Sequence, residues 1–467
     1  MDDQPLLSTL ASQRAAFLKD GFPDLGLRRD RLARLGRLLT ESADAFSDVI
    51  SRDFGFRSHE ETKLLEIAPL MGAIRHARAH LGRWMKADRR GRSFEFVQLK
   101  NHVRYQPLGV VGIMASWNYP LFVALGPLID VLAGGNRAMI KPSELLPETS
   151  RLLAARIGAY FSPDEVSVVE GGVNLAAAFA RLPFDHLVFT GSTAVGRKVM
   201  AAAAENLTPV TLELGGKSPA LVAPDYPIED AARDIAFGKL MNAGQTCIAP
   251  DYVLVERRKL GALAEAFIDR AQRFYPAGTT GSDYSTLALP RAYERLLNGL
   301  QECRERGVKI LTADVARPPR GLVIAPTVVI DPPADCALMA EEIFGPVLPL
   351  VPYDDLSDAL AFINARPRPL ALYAFTHQSA TERRILRETI SGNVTVNGTL
   401  LHVTQNDLPF GGVGASGIGA YHGREGFVRF SHARGITKVR LFNPSRLAQP
   451  PYGAIAEWLK WLLMRRW

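Results

Sequence analysis

The chemistry this chain could perform begins with a thiol, a carboxylate and an amide. Gly244-Gln245-Thr246-Cys247 sets one of three cysteines after a glycine and a polar loop, with Ile248 and Ala249 predicted to open a strand. A thiol in such a loop could be a nucleophile, because the thiolate is the reactive form and needs access. Read alone, it is more readily a packing residue, free cysteine being among the most buried residue types. Glu213 interrupts an apolar run just before Gly215 and Gly216. A buried carboxylate there would have a raised pKa suited to general-base work, or would serve as half of an ion pair. The amide of Asn118, in Trp117-Asn118-Tyr119-Pro120, could donate to a developing oxyanion or cap a helix.

Four further segments could hold a ligand, and each alone also reads as a plain turn. Phe189-Thr190-Gly191-Ser192-Thr193-Ala194-Val195-Gly196 joins a predicted strand to a helix, the geometry that aims backbone N–H groups at a phosphate. Gly191 and Gly196 match the outer glycines of the dinucleotide fingerprint, but Thr193 replaces the middle one. Lys141-Pro142-Ser143-Glu144 follows a predicted strand, at the edge where open α/β sheets bind ligands. Glu341-Glu342-Ile343-Phe344-Gly345-Pro346-Val347 and Leu408-Pro409-Phe410-Gly411-Gly412-Val413-Gly414 could both face a cleft. Gly216-Lys217-Ser218 ends like a P-loop but fails the motif, which needs glycine where Thr211 stands.

The elements that must position these residues follow from periodicity. Residues 8–80 carry apolar positions at helical spacing, such as Leu32, Leu35, Leu38 and Leu39. Residues 92–105 alternate polar and apolar, as a hairpin does. Strands are predicted at 109–114, 138–140, 166–169 and 187–190, with helices at 121–132 and 148–160. A second series has strands near 220–222, 252–255, 347–351, 372–375 and 394–396. Apolar strands alternating with helices imply parallel sheets covered on both faces, hence two α/β lobes with a cleft between them. After Gln449-Pro450-Pro451-Tyr452, the residues Ile455, Trp458, Leu459 and Leu462 form an apolar stripe beside Lys460, Arg465 and Arg466. That tail is too short for a bilayer span of roughly 20 residues, so it could dock on its own domain, cap a pocket or lie on a membrane surface.

With 467 residues, more than one core is expected. Cys247, Cys303 and Cys336 are odd in number and in no metal-ligand spacing, which argues against a disulfide framework or a metal site and for a reducing compartment. The opening Met1-Asp2-Asp3-Gln4 lacks the basic and apolar regions of a signal peptide. The net charge of +7 is spread over arginine-rich stretches at 28–37 and 83–92 without interleaved aromatics, so solvated faces explain it better than nucleic acid does.

Together and in this order, the segments resemble the aldehyde dehydrogenase superfamily over nearly the whole chain, from about 107 to 430. The texture of Met114-Ala115-Ser116-Trp117-Asn118-Tyr119-Pro120 and Gly244-Gln245-Thr246-Cys247-Ile248-Ala249-Pro250-Asp251-Tyr252 is similar to the class 3 branch, and to its coniferyl aldehyde dehydrogenases most of all. The resemblance implies two doubly wound lobes. One is a Rossmann-like cofactor domain (1–88 and 107–212), the other a catalytic domain (213–400). To these it adds a small β-hairpin oligomerisation element with entrance loops (89–106 and 401–440) and an amphipathic C-terminal helix (449–467). Cys247 would be the nucleophile, Glu213 the general base, and the Asn118 side chain with the Cys247 N–H the oxyanion hole. Lys141 and Glu144 would hold the adenosine ribose, and Gly191, Ser192, Val195 and Gly196 the pyrophosphate. Glu342 and Phe344 would meet the nicotinamide end, with Trp117 and Leu214 along the cofactor. Tyr119, His402 and Phe410 would line the aldehyde entrance.

The implied reaction is NAD(P)-dependent oxidation of a hydrophobic aldehyde, aromatic such as coniferyl or medium- to long-chain aliphatic, in a cytoplasmic homodimer with peripheral membrane contact open. Glu144 favours NAD, since a carboxylate repels a 2′-phosphate, while Lys141 leaves NADP as the alternative. Glu213 favours hydrolysis over transfer to coenzyme A. The competing readings are a CoA-acylating enzyme, an idle nucleotide-binding scaffold and a cysteine hydrolase. For such a nucleophile to work near neutral pH, its site is expected to stabilise the thiolate.

Overall fold

The structure is a computed structural model that describes residues 4–91, 99–313, 321–440 and 442–464. The predicted helical lead-in is a run of helices: Gln4–Asp20, Leu25–Glu41, Ala43–Asp53, His59–Thr62 and Ala68–Trp84, with one π-helical turn at Lys63–Ile67. The leucines noted above form the buried face of the second helix.

Among the described residues three sheets form. The smallest joins β1 (Asp88–Arg90), β2 (Leu99–Pro107) and β16 (Ser431–Val439), all antiparallel. The hairpin expected at 92–105 thus falls partly on 92–98, outside the described residues. Its described arm, β2, pairs along its whole length with β16 of the same chain. The other edge of β16 has no strand beside it among the described residues, and most of its residues are exposed.

The first lobe is a six-stranded sheet in the order β15-β7-β6-β3-β4-β5. It comprises β3 (Val110–Met114), β4 (Arg137–Lys141), β5 (Val166–Val168), β6 (His186–Thr190), β7 (Val210–Glu213) and β15 (Gly417–Ile418). Every pairing is parallel except β15 with β7. β3 and β4 are buried along their whole length, as a sheet covered on both faces requires. Helix Pro120–Gly134 is buried on all sides, between this sheet and the N-terminal helices.

The second lobe is a seven-stranded sheet in the order β10-β11-β12-β9-β8-β13-β14. Its members are β8 (Pro219–Val222), β9 (Tyr252–Glu256), β10 (Ile310–Thr312), β11 (Thr327–Ile330), β12 (Val347–Tyr353), β13 (Ala371–Phe375) and β14 (Asn393–Val396). The chain passes between lobes right after Glu213, and β15 brings residues 417 and 418 back beside β7. The strand expected at Ile248 and Ala249 is a turn, and β9 starts only at Tyr252. Pro250, which has no N–H to give a ladder, stands between the two.

Helix Ala454–Met464 carries the predicted tail stripe, with Ile455 and Trp458 exposed. The side chain of Leu462, and Arg465 and Arg466, lie outside what the structure describes. Among the described residues no helix is long and apolar enough to cross a membrane.

Candidate active site

A cavity of about 370 Å³ opens between the lobes. Cys247, Asn118 and Glu213 all line it. Each stands at or just past the carboxyl end of a strand or in a loop, where open α/β sheets present ligand-binding groups.

The cysteine loop is held in an uncommon conformation. Asn242, Ala243 and Gly244 have φ of 53°, 50° and 75°, three left-handed residues in a row. A Cβ at position 244 would collide with the carbonyl of Gly345, so glycine is required there for space as well as for its φ. The two non-glycine residues each hold about 1–3 kcal/mol of backbone strain, which neighbouring interactions must offset. Glu61 does so by accepting from Asn242 N at 2.8 Å, and its second oxygen accepts from the Ser285 hydroxyl. Gln245 Nε2 donates to the carbonyls of Asn242 (2.9 Å) and Thr286 (3.0 Å), and its Oε1 accepts from Ala288 N (2.9 Å).

Asn118 is tied to the same loop. Its Nδ2 donates to the Gln245 carbonyl at 3.1 Å, and its Oδ1 accepts from Ser116 Oγ at 2.7 Å. An amide nitrogen carries two hydrogens, so one remains for the cavity. The Asn118 carbonyl in turn accepts from Asn242 Nδ2 at 3.0 Å. Tyr119, at the cap of helix Pro120–Gly134, supplies no side-chain acceptor to the helix. Glu66 does: its Oε2 accepts from Leu121 N (2.8 Å) and Phe122 N (3.0 Å), and its Oε1 takes Arg57 Nη1 at 2.6 Å, with Arg57 and Glu66 both fully buried. The Tyr119 hydroxyl meets Thr246 Oγ1 at 2.7 Å, next to the cysteine.

Glu213 ends β7. Its carbonyl accepts from Gly191 N at 3.0 Å, which fixes the glycine turn beside it, while both carboxylate oxygens are buried without a hydrogen-bond partner. Burial pushes this carboxyl well above its ordinary value, opposed only in part by Arg429. The Arg429 side chain is itself held by Thr211 Oγ1 (2.8 Å) and the Val210 carbonyl (2.7 Å). Burial also pushes Glu342 up to about 8, and a Cβ on Gly215 would strike the Glu342 carboxylate.

The expectation of a stabilised thiolate is not met by the chain's own groups. Burial pushes the Cys247 thiol up to about 12, and the Glu342 and Glu213 carboxylates push in the same direction. Hydrogen bonding from the Cys247 and Ile248 backbone N–H groups acts the other way but is outweighed, so the neutral thiol is favoured.

On the cofactor side, Gly191, Ser192, Leu214, Trp117, Glu342 and Phe344 line the cavity, with the Trp117 and Phe344 rings edge-on at 5.6 Å. Ser192 caps helix Thr193–Ala204 by accepting from Val195 N, and Gly196 in the first turn lies against the Leu214 side chain. Val195, Gly196, Lys141 and Glu144 lie outside the cavity's lining. Lys141 ends β4 and bonds Glu144 at 2.6 Å, which with hydrogen bonding lowers the Glu144 pKa despite partial burial. The set suits a dinucleotide: a helix N-terminus behind a glycine turn, and a buried Thr190 Oγ1 with no partner beside it.

On the other side the lining is apolar: Leu64, Leu65, Pro69, Phe122, Val123, Phe237, Leu400, Leu401, Val403, Phe410 and Tyr421, joined by Tyr119 and Thr404. Leu64, Phe237 and Leu401 are exposed and form its rim. His402 is not part of this surface. Its Nδ1 bonds Thr395 Oγ1 at 2.8 Å and its ring stacks on the far side of Phe410, because the 3₁₀ turn Leu401–Thr404 sends its neighbours to the cavity and His402 inward. Sequence reasoning missed Glu61, Glu66, Arg57, Phe237, Tyr421 and Arg429; carboxylates in the helical lead-in next to apolar residues were the one available signal.

The aldehyde dehydrogenase family profile matches residues 14–436. A probable coniferyl aldehyde dehydrogenase of Pseudomonas aeruginosa is 48% identical over 99% of this chain and 96% of its own length. A substrate-bound structure of Staphylococcus aureus AldH superposes with a TM-score of 0.92 at 34% identity, covering 98% of this chain and 99% of that one. A Mycobacterium tuberculosis aldehyde dehydrogenase complexed with NAD+ superposes with a TM-score of 0.81 at 29% identity, covering 91% and 88%. The two-lobed α/β fold, the matched span and these relatives agree: the chain belongs to the aldehyde dehydrogenase family of enzymes.

Proposed function

We propose that the protein oxidises hydrophobic aldehydes, aromatic or medium- to long-chain, to carboxylic acids with NAD(P) through a cysteine thioester. The observation that carries this is the convergence of Cys247, Asn118 and Glu213 on one cavity, apolar on one side and flanked by a glycine turn and helix N-terminus on the other. The apolar side desolvates the aldehyde and aims its carbonyl carbon at Cys247 Sγ. As the C–S bond forms, the thiol proton passes to solvent water, and the carbonyl oxygen takes the charge of a tetrahedral thiohemiacetal. The free N–H of Asn118 Nδ2 and the Cys247 backbone N–H donate to that oxyanion, each such donor being worth about 3–4 kcal/mol of barrier. NAD(P), when bound, supplies the hydride acceptor that converts the thiohemiacetal to a thioester. Glu213 then takes a proton from water as the water attacks the acyl carbon, and the C–S bond breaks to release the acid. With its pKa raised by burial, Glu213 is a stronger base than an exposed glutamate.

Gly191, Ser192 and the first turn of helix Thr193–Ala204 would hold the pyrophosphate, Lys141 and Glu144 the adenosine ribose, and Glu342 the second ribose. NAD is the preferred form, because Glu144 would repel a 2′-phosphate. The edge of β16 that has no strand beside it among the described residues supports a homodimer, and three free cysteines fit a reducing cytoplasm. The exposed Ile455 and Trp458 support a tail that touches a membrane surface or covers the cavity mouth; removing residues 452–467 should change chain-length selectivity or vesicle binding. Cys247→Ala should abolish aldehyde oxidation while leaving NAD binding by calorimetry intact, and persistent oxidation would remove the mechanism. Product analysis with coenzyme A present should still give the free acid; acyl-CoA would reassign the acyl acceptor.

A further inference from the structure

Tyr373 is the middle residue of β13, a strand paired on its two sides with β8 and β14, and it is fully buried. It shares a core cluster with Ile248, Leu400 and Phe410, and Cys247 packs against that cluster. Phe375 stands two positions on, on the same face of the strand, and fills the same cluster with a plain ring. A phenol in these surroundings carries a desolvation cost that phenylalanine avoids, unless its hydroxyl is bonded. Packing alone therefore does not account for a tyrosine at 373.

The hydroxyl is bonded, and its partner is the turn that carries the thiol. It donates to the Ile248 carbonyl, one residue beyond Cys247. Hydrogen bonding from the Leu400 N–H reaches the same oxygen, and Leu400 lines the main cavity with φ of 62°. The Tyr373 ring is steadied by His402, with centroids 6.0 Å apart, and His402 stacks in turn on Phe410 at 6.1 Å. Residues 246–249 form a short turn closed by Ala249 N donating to the Thr246 carbonyl at 3.0 Å. Pro250 follows with no N–H to give. Among the described residues, the bond to Tyr373 is the one hydrogen bond that ties the backbone of this turn to another element. The same turn holds the Cys247 and Ile248 N–H groups, which bond the sulfur and act to stabilise its anion.

We propose that Tyr373 is a positioning residue for the nucleophile: by holding the Ile248 carbonyl, its hydroxyl keeps the turn in the rotation that points the Cys247 and Ile248 N–H groups at Cys247 Sγ. The inference rests on the reading that Cys247 attacks the aldehyde. Tyr373 itself is absent from the cavity's lining, so it acts through the turn and not on the substrate. Without the hydroxyl the Ile248 carbonyl loses its donor, and the turn rotates to recover one. That rotation draws the Ile248 N–H off the sulfur, because both groups belong to one residue of a four-residue unit. Hydrogen bonds to a charged group are the stronger kind, so the thiolate loses more than the thiol and becomes scarcer at any given pH.

The test is Tyr373→Phe, which removes one oxygen and keeps the ring, with Tyr353→Phe as its control. Tyr353 is a buried tyrosine of β12, in a different core cluster, whose hydroxyl donates to the Val222 carbonyl at 2.8 Å. Each variant loses one buried hydrogen bond, so a merely structural loss is common to both. Only Tyr373→Phe should slow iodoacetamide alkylation of Cys247, followed on its peptide, by about 10-fold or more at any one pH from about 7 to about 9. Its kcat/KM for hexanal with NAD should fall in parallel, with Kd for NAD unchanged. Native alkylation or native kcat/KM in Tyr373→Phe, or losses as large in Tyr353→Phe, overturns the positioning role. The nucleophile reading is checked separately in the native protein, where hexanal oxidation should fall in step with alkylation of Cys247. Oxidation that outlasts complete alkylation would remove that reading and this one with it.

Discussion

Replacing Glu61 by alanine tests whether the cysteine loop is held from outside the catalytic motif. The substitution leaves two buried donors, Asn242 N and the Ser285 hydroxyl, without their acceptor. A buried orphan of this kind costs about 1–3 kcal/mol. The turn it supports contains Asn242 and Ala243 at φ of 53° and 50°, each storing about 1–3 kcal/mol that some interaction must offset. The two amounts are of the same size, so without Glu61 the left-handed turn no longer has a clear net reason to persist. Relaxation would carry the Gln245 carbonyl with it, and that carbonyl orients Asn118 Nδ2 at 3.1 Å. Cys247 and Asn118, the proposed nucleophile and oxyanion donor, would therefore shift together, and a displacement of about 1 Å costs on the order of 100-fold in rate. Expected for Glu61→Ala is a fall in kcat of about that size, slower iodoacetamide labelling of Cys247, and an unchanged Kd for NAD. Glu61→Gln keeps the Oε1 acceptor for Asn242 N and should recover most of the loss. Native kcat and labelling in Glu61→Ala, or losses equal in the alanine and glutamine variants, would refute the reasoning.

Glu213→Gln should acylate but hydrolyse slowly: stopped-flow absorbance should show a burst of NADH near one per site and then a steady rate lower by about 10²–10⁴-fold, while loss of the burst would move Glu213 to the first step. Because burial and two carboxylates push Cys247 up to about 12, iodoacetamide labelling of the cofactor-free protein should climb from pH 7 to pH 10 without a plateau. For Asp130, the folded protein keeps a proton up to about pH 8 that the unfolded chain releases near pH 4, so its contribution to stability is full below about pH 4 and is lost as pH rises through about 8. Asp130→Asn keeps the acceptor for His422 N without that proton, so its Tm relative to the native protein should rise between pH 5 and pH 8; a constant difference would reject the assignment.

The lobes could be read from the sequence because their signals are local, whereas Cys247, Asn118 and Glu213, each ambiguous alone, were singled out by resemblance and are found lining one cavity. β3, β4, β6 and β9 are short apolar runs closed by glycine, proline or polar residues, and Asn118 and Glu213 stand at or just beyond strand ends. What could not be read joins residues far apart in the chain. Glu61 reaches Asn242 across 181 positions, and Glu66 reaches Leu121 across 55, and neither pairing leaves a periodic trace. His402 was misplaced for a different reason: a 3₁₀ turn has no fixed inward face that sequence can reveal, and Thr395 decides its orientation by taking Nδ1. The strand expected at Ile248 was an error of local reading, since three left-handed residues and Pro250 leave room only for a turn.

The same geometry sets the Glu342 and Glu213 carboxylates, rather than a cation, to act on the half-buried Cys247. A lysine or arginine beside Cys247 would lower the thiol's pKa, but it would also draw down the neighbouring carboxylates that raise it. Glu213 would then be a weaker base for the water step, where its strength depends on the absence of partners for both oxygens. Burial solves both steps with one device. In the proposed mechanism it would hold the Cys247 thiol in its neutral form and keep the Glu213 carboxylate basic for the thioester step. Arg429 fits this logic by its placement: it lies behind β7, spends its hydrogen bonds on Thr211 and the Val210 carbonyl, and only moderates Glu213. A charge moved from there into the cavity would speed formation of the thiolate at the expense of hydrolysis, and the acyl group would stay on Cys247.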